Sequence, residues 1–554
     1  MMKYIIVILI LFFTPITLFG SSNNSSIFFF LKGYRSETQG RLDDAVNYYK
    51  SAIEKDPSSA ALRTGLAIAY LKKGNLDKAE KVLKEAIDLN ASNTDALKLL
   101  AGIYSARNMP EKAKELYERC IEIKDDDKDA YLHLGAVYMT QKKYKDAIGI
   151  YEKMLSFEPD NIIAVYYLGR LHAELKDYES AKKYYQKAIE IKPNFESAYF
   201  EMGMVYEIEG NSKKALEYYN KVITINPLNK KARSRIADIF IREKEYDRAI
   251  YEFEKLSDID REDLSIRVKI GLLHLEKGRY DEAIREFNLI LATKPDNSNV
   301  RLYLAIALKE KGELKKAIEE FSKIDPSSEE FNIALKNMTY LFIKSNILDE
   351  GINIIRSYIN LKKDNVESYI MLAVLYEEKK DFKKAIETLE EAKKYDAKNL
   401  EVLYQIGVLY EKMGDLEKAV NAMEEVIKID PEHANALNFI GYTWADKGIN
   451  LDIAEEMIKK ALKKKPEDGY IIDSMGWVYY KKGDYGKALI EITRAHEKLP
   501  DDPTIAEHLA DVYVKLNEVE KAREFYEKAI SLEKDETKKK SIKEKLRKLE
   551  SDKR

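Results

Sequence analysis

An alanine recurs about every 34 residues along most of this 554-residue chain. It stands within copies of one pattern, of which LDDAVNYYKSAIEKDP and YESAKKYYQKAIEIKP are two examples. Gly351 fills one slot, and alanine fills the others, at Ala45, Ala79, Ala113, Ala147, Ala181, Ala215, Ala249, Ala283, Ala317, Ala385, Ala419, Ala454, Ala488 and Ala522. A fixed period of about 20–50 residues indicates a solenoid, in which one supersecondary unit stacks on copies of itself. The chain is therefore predicted to be a repeat array rather than one large globular core.

A second small residue precedes each alanine of the pattern. The set is Gly33, Ala67, Ala101, Gly135, Gly169, Gly203, Ala237, Gly271, Ala305, Ala373, Gly407, Gly441, Gly476 and Ala510, with Thr339 as the exception. Large apolar and aromatic residues lie between the small ones at spacings of three and four, which is the helical period. Two small slots per repeat predict a pair of helices that approach each other closely.

Residues that end helices stand at matching places in the repeats. Glycine or asparagine is expected to turn the chain between paired helices, because both tolerate the left-handed conformation. These residues are Gly40, Gly74, Gly210, Gly278, Gly312, Gly414, Gly448, Gly483, Asn108, Asn346 and Asn517. Proline closes many repeats because it cannot continue the preceding helix, as at Pro57, Pro159, Pro193, Pro227, Pro295, Pro431, Pro466 and Pro500.

This arrangement of small, aromatic and proline slots resembles the tetratricopeptide repeat family over roughly residues 26–536. The resemblance implies an all-α fold, a right-handed superhelical α-solenoid of about 15 helix hairpins with a C-terminal capping helix. It also implies a concave groove for partner proteins. Fold alone does not specify an activity.

The repeats are not uniform. Nine N-terminal repeats are predicted over 26–331, a divergent repeat over 332–365 and five C-terminal repeats over 366–536. The divergent repeat is interpreted either as a hinge or as a degenerate repeat without consequence. Residues 537–554 are predicted to form a basic capping helix, whose nine Lys/Arg and three acids are interpreted either as a solvated surface or as a contact for an acidic partner or a lipid surface.

The first 22 residues differ from the repeats. Lys3 precedes an apolar run, and Gly20, Ser21 and Ser22 provide the small residues that signal peptidase prefers. Residues 1–22 are therefore predicted to be a signal peptide, with an uncleaved N-terminal anchor as the alternative. Export to the periplasm or the bacterial envelope is expected, and membrane association would come through the N-terminus or through partners.

The sequence predicts neither an enzyme nor a cofactor or metal site. The six histidines lack the i, i+4 spacing of a zinc motif, and no glycine-rich phosphate loop is present. His172 stands in an aromatic slot, and the single cysteine, Cys120, stands in a slot that alanine fills elsewhere, so both are predicted to be packed residues. A formal charge of −3 gives no general attraction for nucleic acid.

The family resemblance places the second, fifth, ninth and twelfth positions of each repeat's first helix in the groove. A candidate partner-binding surface follows from it in two successive repeats: Asn435, Asn438, Tyr442, Tyr470, Asp473, Trp477 and Tyr480. Aromatic anchors beside a few polar groups are typical of binding hot spots. For Tyr442 and Trp477, a groove role and purely local packing both stay open at this point.

The segments NFIGYTWADKGINLDIAEEMI and DSMGWVYYKKGDYGKAL also look similar to a pair found in bacterial envelope tetratricopeptide proteins, some of them adaptor or scaffold lipoproteins. This resemblance implies a non-enzymatic scaffold or adaptor that binds envelope proteins, including processing proteases. No lipid-accepting cysteine follows the apolar run of this chain. The alternative function is a scaffold of a polysaccharide or pilus secretion apparatus.

Overall fold

The computed structural model describes residues 24–551, so the predicted signal peptide at 1–22 and the last three residues lie outside the described residues. The described part consists of 31 α-helices and contains no strand. Among these helices, none is long and apolar enough to cross a membrane. The chain divides into two compact units, which meet in sequence between Ile266 and Arg267.

The first fifteen helices run from Asn24 to Glu276 in short, regular lengths. They are α1 Asn24–Thr38, α2 Leu42–Lys55, α3 Ala60–Lys72, α4 Leu76–Leu89, α5 Thr94–Ala106, α6 Pro110–Ile123, α7 Lys128–Thr140, α8 Tyr144–Phe157, α9 Ile162–Glu174, α10 Tyr178–Ile191, α11 Glu196–Ile208, α12 Ser212–Ile225, α13 Lys230–Arg242, α14 Tyr246–Ile259 and α15 Leu264–Glu276.

The remaining sixteen helices continue the same alternation. They are α16 Tyr280–Thr293, α17 Ser298–Lys311, α18 Leu314–Ser322, α19 Phe331–Lys344, α20 Leu348–Leu361, α21 Val366–Glu378, α22 Phe382–Ala392, α23 Leu400–Lys412, α24 Leu416–Ile429, α25 Ala434–Lys447, α26 Leu451–Lys464, α27 Gly469–Lys482, α28 Tyr485–Lys498, α29 Pro503–Lys515, α30 Val519–Leu532 and α31 Glu536–Ser551. Thirty helices thus form fifteen successive pairs, and α31 follows the last pair, which confirms the predicted fold class.

Polar side chains fix where the first helix of many repeats begins. Side chains at the residue before the helix accept a hydrogen bond from a backbone N–H of the first turn, which otherwise has no intrahelical partner. Asn93, Asn161, Asn229, Asn297 and Asn399 do so in five repeats. The cap therefore recurs with the repeat.

The turn inside each hairpin requires a left-handed residue, as the glycine and asparagine positions predict. All eleven predicted positions have positive φ. The same conformation also occurs at residues that the sequence did not single out: Lys142, Lys176, Lys244, Lys380 and Asn450. The four lysines are exposed, so each side chain stays in water while its backbone adopts a conformation disfavoured for a residue with a Cβ atom.

The core of each unit is built from the two small slots. Every alanine of the 34-residue pattern is buried and has no exposed surface. The glycines upstream lie against a large side chain of the second helix; Gly169, for example, faces the ring of Tyr185. This close approach is the reason why small residues recur there.

The divergent repeat, α19–α20, differs from its neighbours in packing. The preceding helix α18 is short and ends at Ser322, and a longer connection leads to Phe331. Helix α19 contacts α21 more extensively than its own partner α20. Gly351 lies against Phe342, so the ring fills the space that alanine occupies in the other repeats. A hinge at 332–365 stays a prediction.

Candidate partner-binding groove

The seven candidate residues lie on two helices that contact each other. Helix α25 carries Asn435, Asn438 and Tyr442, and α27 carries Tyr470, Asp473, Trp477 and Tyr480. These helices are the first helices of successive repeats, and their matching residues stand 35 positions apart, one repeat plus one inserted residue, on the same side of both helices. We call the seven residues the groove surface.

Trp477 is the centre of the groove surface and is only 6% exposed. Its indole N–H donates a hydrogen bond to Asp446 Oδ1 at 3.1 Å. The Tyr480 ring stacks on it with centroids 4.6 Å apart, and the Lys481 ammonium group lies 5.0 Å from the indole centroid. Trp477 therefore packs locally and fixes the position of Tyr480.

His508, on α29, is a further member of this layer that the sequence did not single out. Its ring stacks on Trp477 with centroids 3.9 Å apart, and its Nδ1 lies 2.9 Å from Asp473 Oδ2. Both His508 and Asp473 are buried. The spacing of 35 residues between them, one repeat length plus one, is the signal that could have paired them.

Burial by itself lowers the pKa of His508, but the charge and hydrogen bond of Asp473, together with the charges of Asp511 and Glu507, raise it more. The net effect is a pKa above the usual value for histidine. Tyr442 lies beside this pair, its ring centroid 6.3 Å from that of His508, and is partly buried. Burial, and then the Asp473 charge, raise the pKa of Tyr442, so its hydroxyl stays protonated.

Two members of the groove surface face solvent. Tyr470 is 58% exposed, and the Asp502 charge, followed by partial burial, raises the pKa of its hydroxyl. Asn435 is exposed, and its Oδ1 accepts a hydrogen bond from Lys465 at 2.9 Å. Asn438 is partly buried, and its side-chain oxygen has no hydrogen-bond donor. The groove surface thus combines accessible polar and aromatic groups with a fixed inner layer.

The residues predicted to be packed are packed. Cys120 is fully buried, and burial, the largest cause, raises the pKa of its thiol to about 12. The His172 ring stacks on Tyr184 with centroids 5.3 Å apart, and its Nδ1 lies 3.0 Å from Asp177 Oδ2. In residues 24–551, no three His, Cys, Asp or Glu side chains are grouped so that they could hold a metal ion.

Comparison with known proteins identifies the repeat. Models described as "Tetratricopeptide repeat" match residues 38–101, 96–131, 138–202, 197–229 and 505–536. A model described as "Tetratricopeptide repeat protein 21 C-terminal ARM domain" matches residues 252–437.

Individual relatives share only parts of the chain. The TPR repeat-containing protein PA4667 of Pseudomonas aeruginosa is 39% identical over 74 residues, which are 13% of this chain and 12% of that protein. The solved C-terminal part of a TPR repeat-containing protein from Cytophaga hutchinsonii is 17% identical and covers 44% of this chain and 99% of its own, with a TM-score of 0.39. YrrB, described as a TPR protein with an unusual peptide-binding site, is 22% identical and covers 33% of this chain and 94% of its own, with a TM-score of 0.30.

The paired short helices, the small-residue slots and the left-handed turns define a helical-repeat protein. With the matches to the repeat models, the chain belongs to the tetratricopeptide repeat family. Proteins of this family generally mediate protein–protein interactions, and their scaffold is typically non-enzymatic.

Proposed function

We propose that this chain is a non-enzymatic scaffold or adaptor of the bacterial envelope, which binds extended segments of partner proteins on the groove surface. The supporting observation is the fixed inner layer, in which Asp446 and His508 hold Trp477 and Trp477 in turn holds Tyr480. An aromatic surface that is already ordered loses little conformational entropy on binding. Aromatic residues also contribute most of the affinity at many protein interfaces.

The residues of the groove surface would have two roles in binding a partner. Tyr470, Tyr442 and Tyr480 would receive a partner side chain, while the exposed Asn435 would bond its backbone. Trp477 and Asp473 are buried, so in this proposal they position the other residues rather than touch the partner. An extended segment suits such a surface because its free backbone groups can pair with side-chain amides.

The envelope location rests on the sequence pattern of residues 1–22, outside the described residues. Fractionation of cells into cytoplasm, periplasm and membranes tests it, together with the N-terminal residue of the mature chain. A start near Ser22 indicates cleavage, and an intact Met1 with membrane recovery indicates an anchor. Recovery in the cytoplasm contradicts the envelope proposal.

The binding proposal is tested by affinity capture of partners from envelope fractions on the immobilised full chain. Asn435→Ala with Tyr470→Ala removes exposed groups and leaves the inner layer intact. We expect bound partners to fall at least tenfold. Tyr251→Ala is the matched control, because Tyr251 is 55% exposed, lies in the other unit and is far from the groove surface in sequence.

Equal capture by the double variant and by the control would contradict binding at the groove surface. The identity of the captured proteins separates the finer roles. Processing proteases support a protease adaptor, whereas components of a polysaccharide or pilus secretion apparatus support the alternative function.

A further inference from the structure

Helix α31 packs on the α29–α30 hairpin through one apolar edge. Ile542 is 1% exposed and clusters with Ala506, Ala510, Tyr526 and Ala529. Leu546 and Leu549 extend the same edge and are partly buried. Their spacings of four and three keep all three apolar residues on one side of the helix.

A lysine on α31 contacts two carboxylates of α29. Lys545 Nζ lies 2.6 Å from Asp511 Oδ2 and 2.8 Å from Glu507 Oε1. Asp511 is 7% exposed and also accepts a hydrogen bond from the Tyr526 hydroxyl at 2.5 Å. Burial lowers the pKa of Lys545, but the two carboxylates raise it more, so the ammonium form is favoured.

We call the surface under α31 the end face: Ala506, Glu507, Ala510, Asp511, Tyr526 and Ala529. It combines an apolar floor with two carboxylates at one side. A helix that fits this surface has one apolar residue, followed three positions later by a lysine and, four and seven positions after the first residue, by two more apolar residues. Helix α31 has this pattern in Ile542, Lys545, Leu546 and Leu549.

Within residues 24–551, α31 has no hairpin partner of its own, and Ile542 is its one buried residue. The first helices of other repeats also pack against the second helix of their own hairpin, as α27 does with α28 and α29 does with α30. In the described part of the chain, no helix follows α31. A segment with few buried apolar contacts opens at a lower free energy than the core of the array.

We propose that the end face is a second binding site, which takes a basic amphipathic helix of a partner protein. Helix α31 is its resident occupant and is displaced by that helix. The two carboxylates select a basic partner, and the apolar floor selects a helix with one apolar edge. This inference goes beyond the scaffold proposal, because none of the end-face residues belongs to the groove surface.

The probe for the test is a labelled synthetic peptide with the sequence of residues 536–551, ETKKKSIKEKLRKLES. Its binding to the full chain is measured by fluorescence anisotropy. The wild-type chain, whose own α31 competes, is compared with Ile542→Asp, which removes the apolar anchor of α31. We expect the variant to bind the peptide at least tenfold more tightly, and its affinity to fall as salt is raised.

Two further variants separate the contribution of charge to this contact from that of the apolar residues. Lys545→Glu leaves the apolar edge of α31 intact but places a third carboxylate beside Asp511 and Glu507, and this repulsion should release α31 from the end face. The variant should therefore also bind the peptide more tightly. Adding Asp511→Asn to Ile542→Asp should remove most of the gain, because the amide still accepts from Tyr526 but no longer carries the charge. A peptide of the same composition in scrambled order is the control for non-specific attraction.

Three results would overturn the proposal. The first is equal affinity of the wild type and both release variants for the peptide. The second is binding of the scrambled peptide as tight as that of the ordered one. The third is a wild-type dimer that Ile542→Asp dissolves, which would assign the end face to a second copy of this chain. The groove-surface variants Asn435→Ala and Tyr470→Ala should leave peptide binding unchanged, which keeps this test separate from that of the scaffold function.

Discussion

A Cβ atom added to Gly135 would overlap Cζ of Tyr151. The glycine is on α7 and the tyrosine on α8, so the ring lies directly against the backbone of the first helix. Tyr151 has no exposed surface. Its ring cannot move away without disturbing the packing around it, and the distance between the two helices is therefore set by this pair.

We predict that Gly135→Ala lowers the free energy of unfolding of the first unit by about 1–3 kcal/mol, the usual cost of overpacking a core. The gain in helix propensity from the alanine is smaller than this cost. Urea unfolding followed by circular dichroism measures the change. Gly149→Ala on α8 is the matched control, because nothing lies within 4 Å of its added Cβ.

The control should increase stability by about 1 kcal/mol, since alanine replaces glycine inside an open helix surface. Destabilisation by both substitutions, or by neither, would contradict a steric origin.

The left-handed lysines predict a stabilising substitution. Lys176→Gly and Lys244→Gly should each stabilise the first unit by about 1 kcal/mol, because glycine adopts φ near +60° without the Cβ clash. The urea midpoint measures the effect. Replacing Gly210, which already has φ of 75°, by lysine should have the opposite sign. A lower midpoint for the two glycine variants would refute the assignment of strain to these turns.

The buried His508–Asp473 pair predicts a pH dependence of stability. The folded pKa of His508 is raised above its unfolded value of about 6.5, so the stabilisation is complete below that pH. It is lost as pH rises through the higher folded pKa. As the pH rises from about 6.5 through the folded pKa of His508, we expect the free energy of unfolding of the second unit to fall in the wild type. The fall should be smaller in His508→Gln.

Urea midpoints at a series of pH values measure this difference, and a chemical-shift titration of the His508 ring gives its pKa directly. If the urea midpoint changed equally with pH in the wild type and in His508→Gln, His508 would not be the cause of the pH dependence.

Cys120 should be unreactive in the native chain. Its thiol is fully buried, and its pKa is raised to about 12, so the thiolate that reacts with thiol reagents is scarce. Labelling with a chromogenic disulfide reagent should be slow in buffer and fast in concentrated urea. Fast labelling of the folded protein would mean that the α6 region opens readily or that the thiol is accessible.

Much of the fold follows from the spacing of small residues. The alanine at 34-residue intervals and the glycine or asparagine between helices predict the paired helices and their turns. Lys142 and Lys380 could not be predicted as left-handed turn residues from propensity, because lysine disfavours that conformation. The hairpin geometry imposes it, and tertiary contacts override the local preference.

The candidate site was predictable only in part. The repeat register places Tyr442 and Trp477 at equivalent positions of neighbouring helices, and the structure brings them together with Asp473. The register does not predict that the His508 ring stacks on Trp477, because this contact depends on how α29 packs against α27. Tyr470 is the most exposed aromatic residue of the groove surface, although the sequence offered no reason to prefer it over Trp477.

The extensive helix contacts within each unit join helices that are neighbours along the chain or next but one. Local contacts of this kind require little loop-closure entropy, so folding need not wait for distant segments. A hairpin can close as soon as its two helices have emerged from the ribosome, and each finished hairpin then offers a packing surface to the next. The chain can therefore fold from its N-terminal repeats toward its C-terminal repeats while it is still being synthesised.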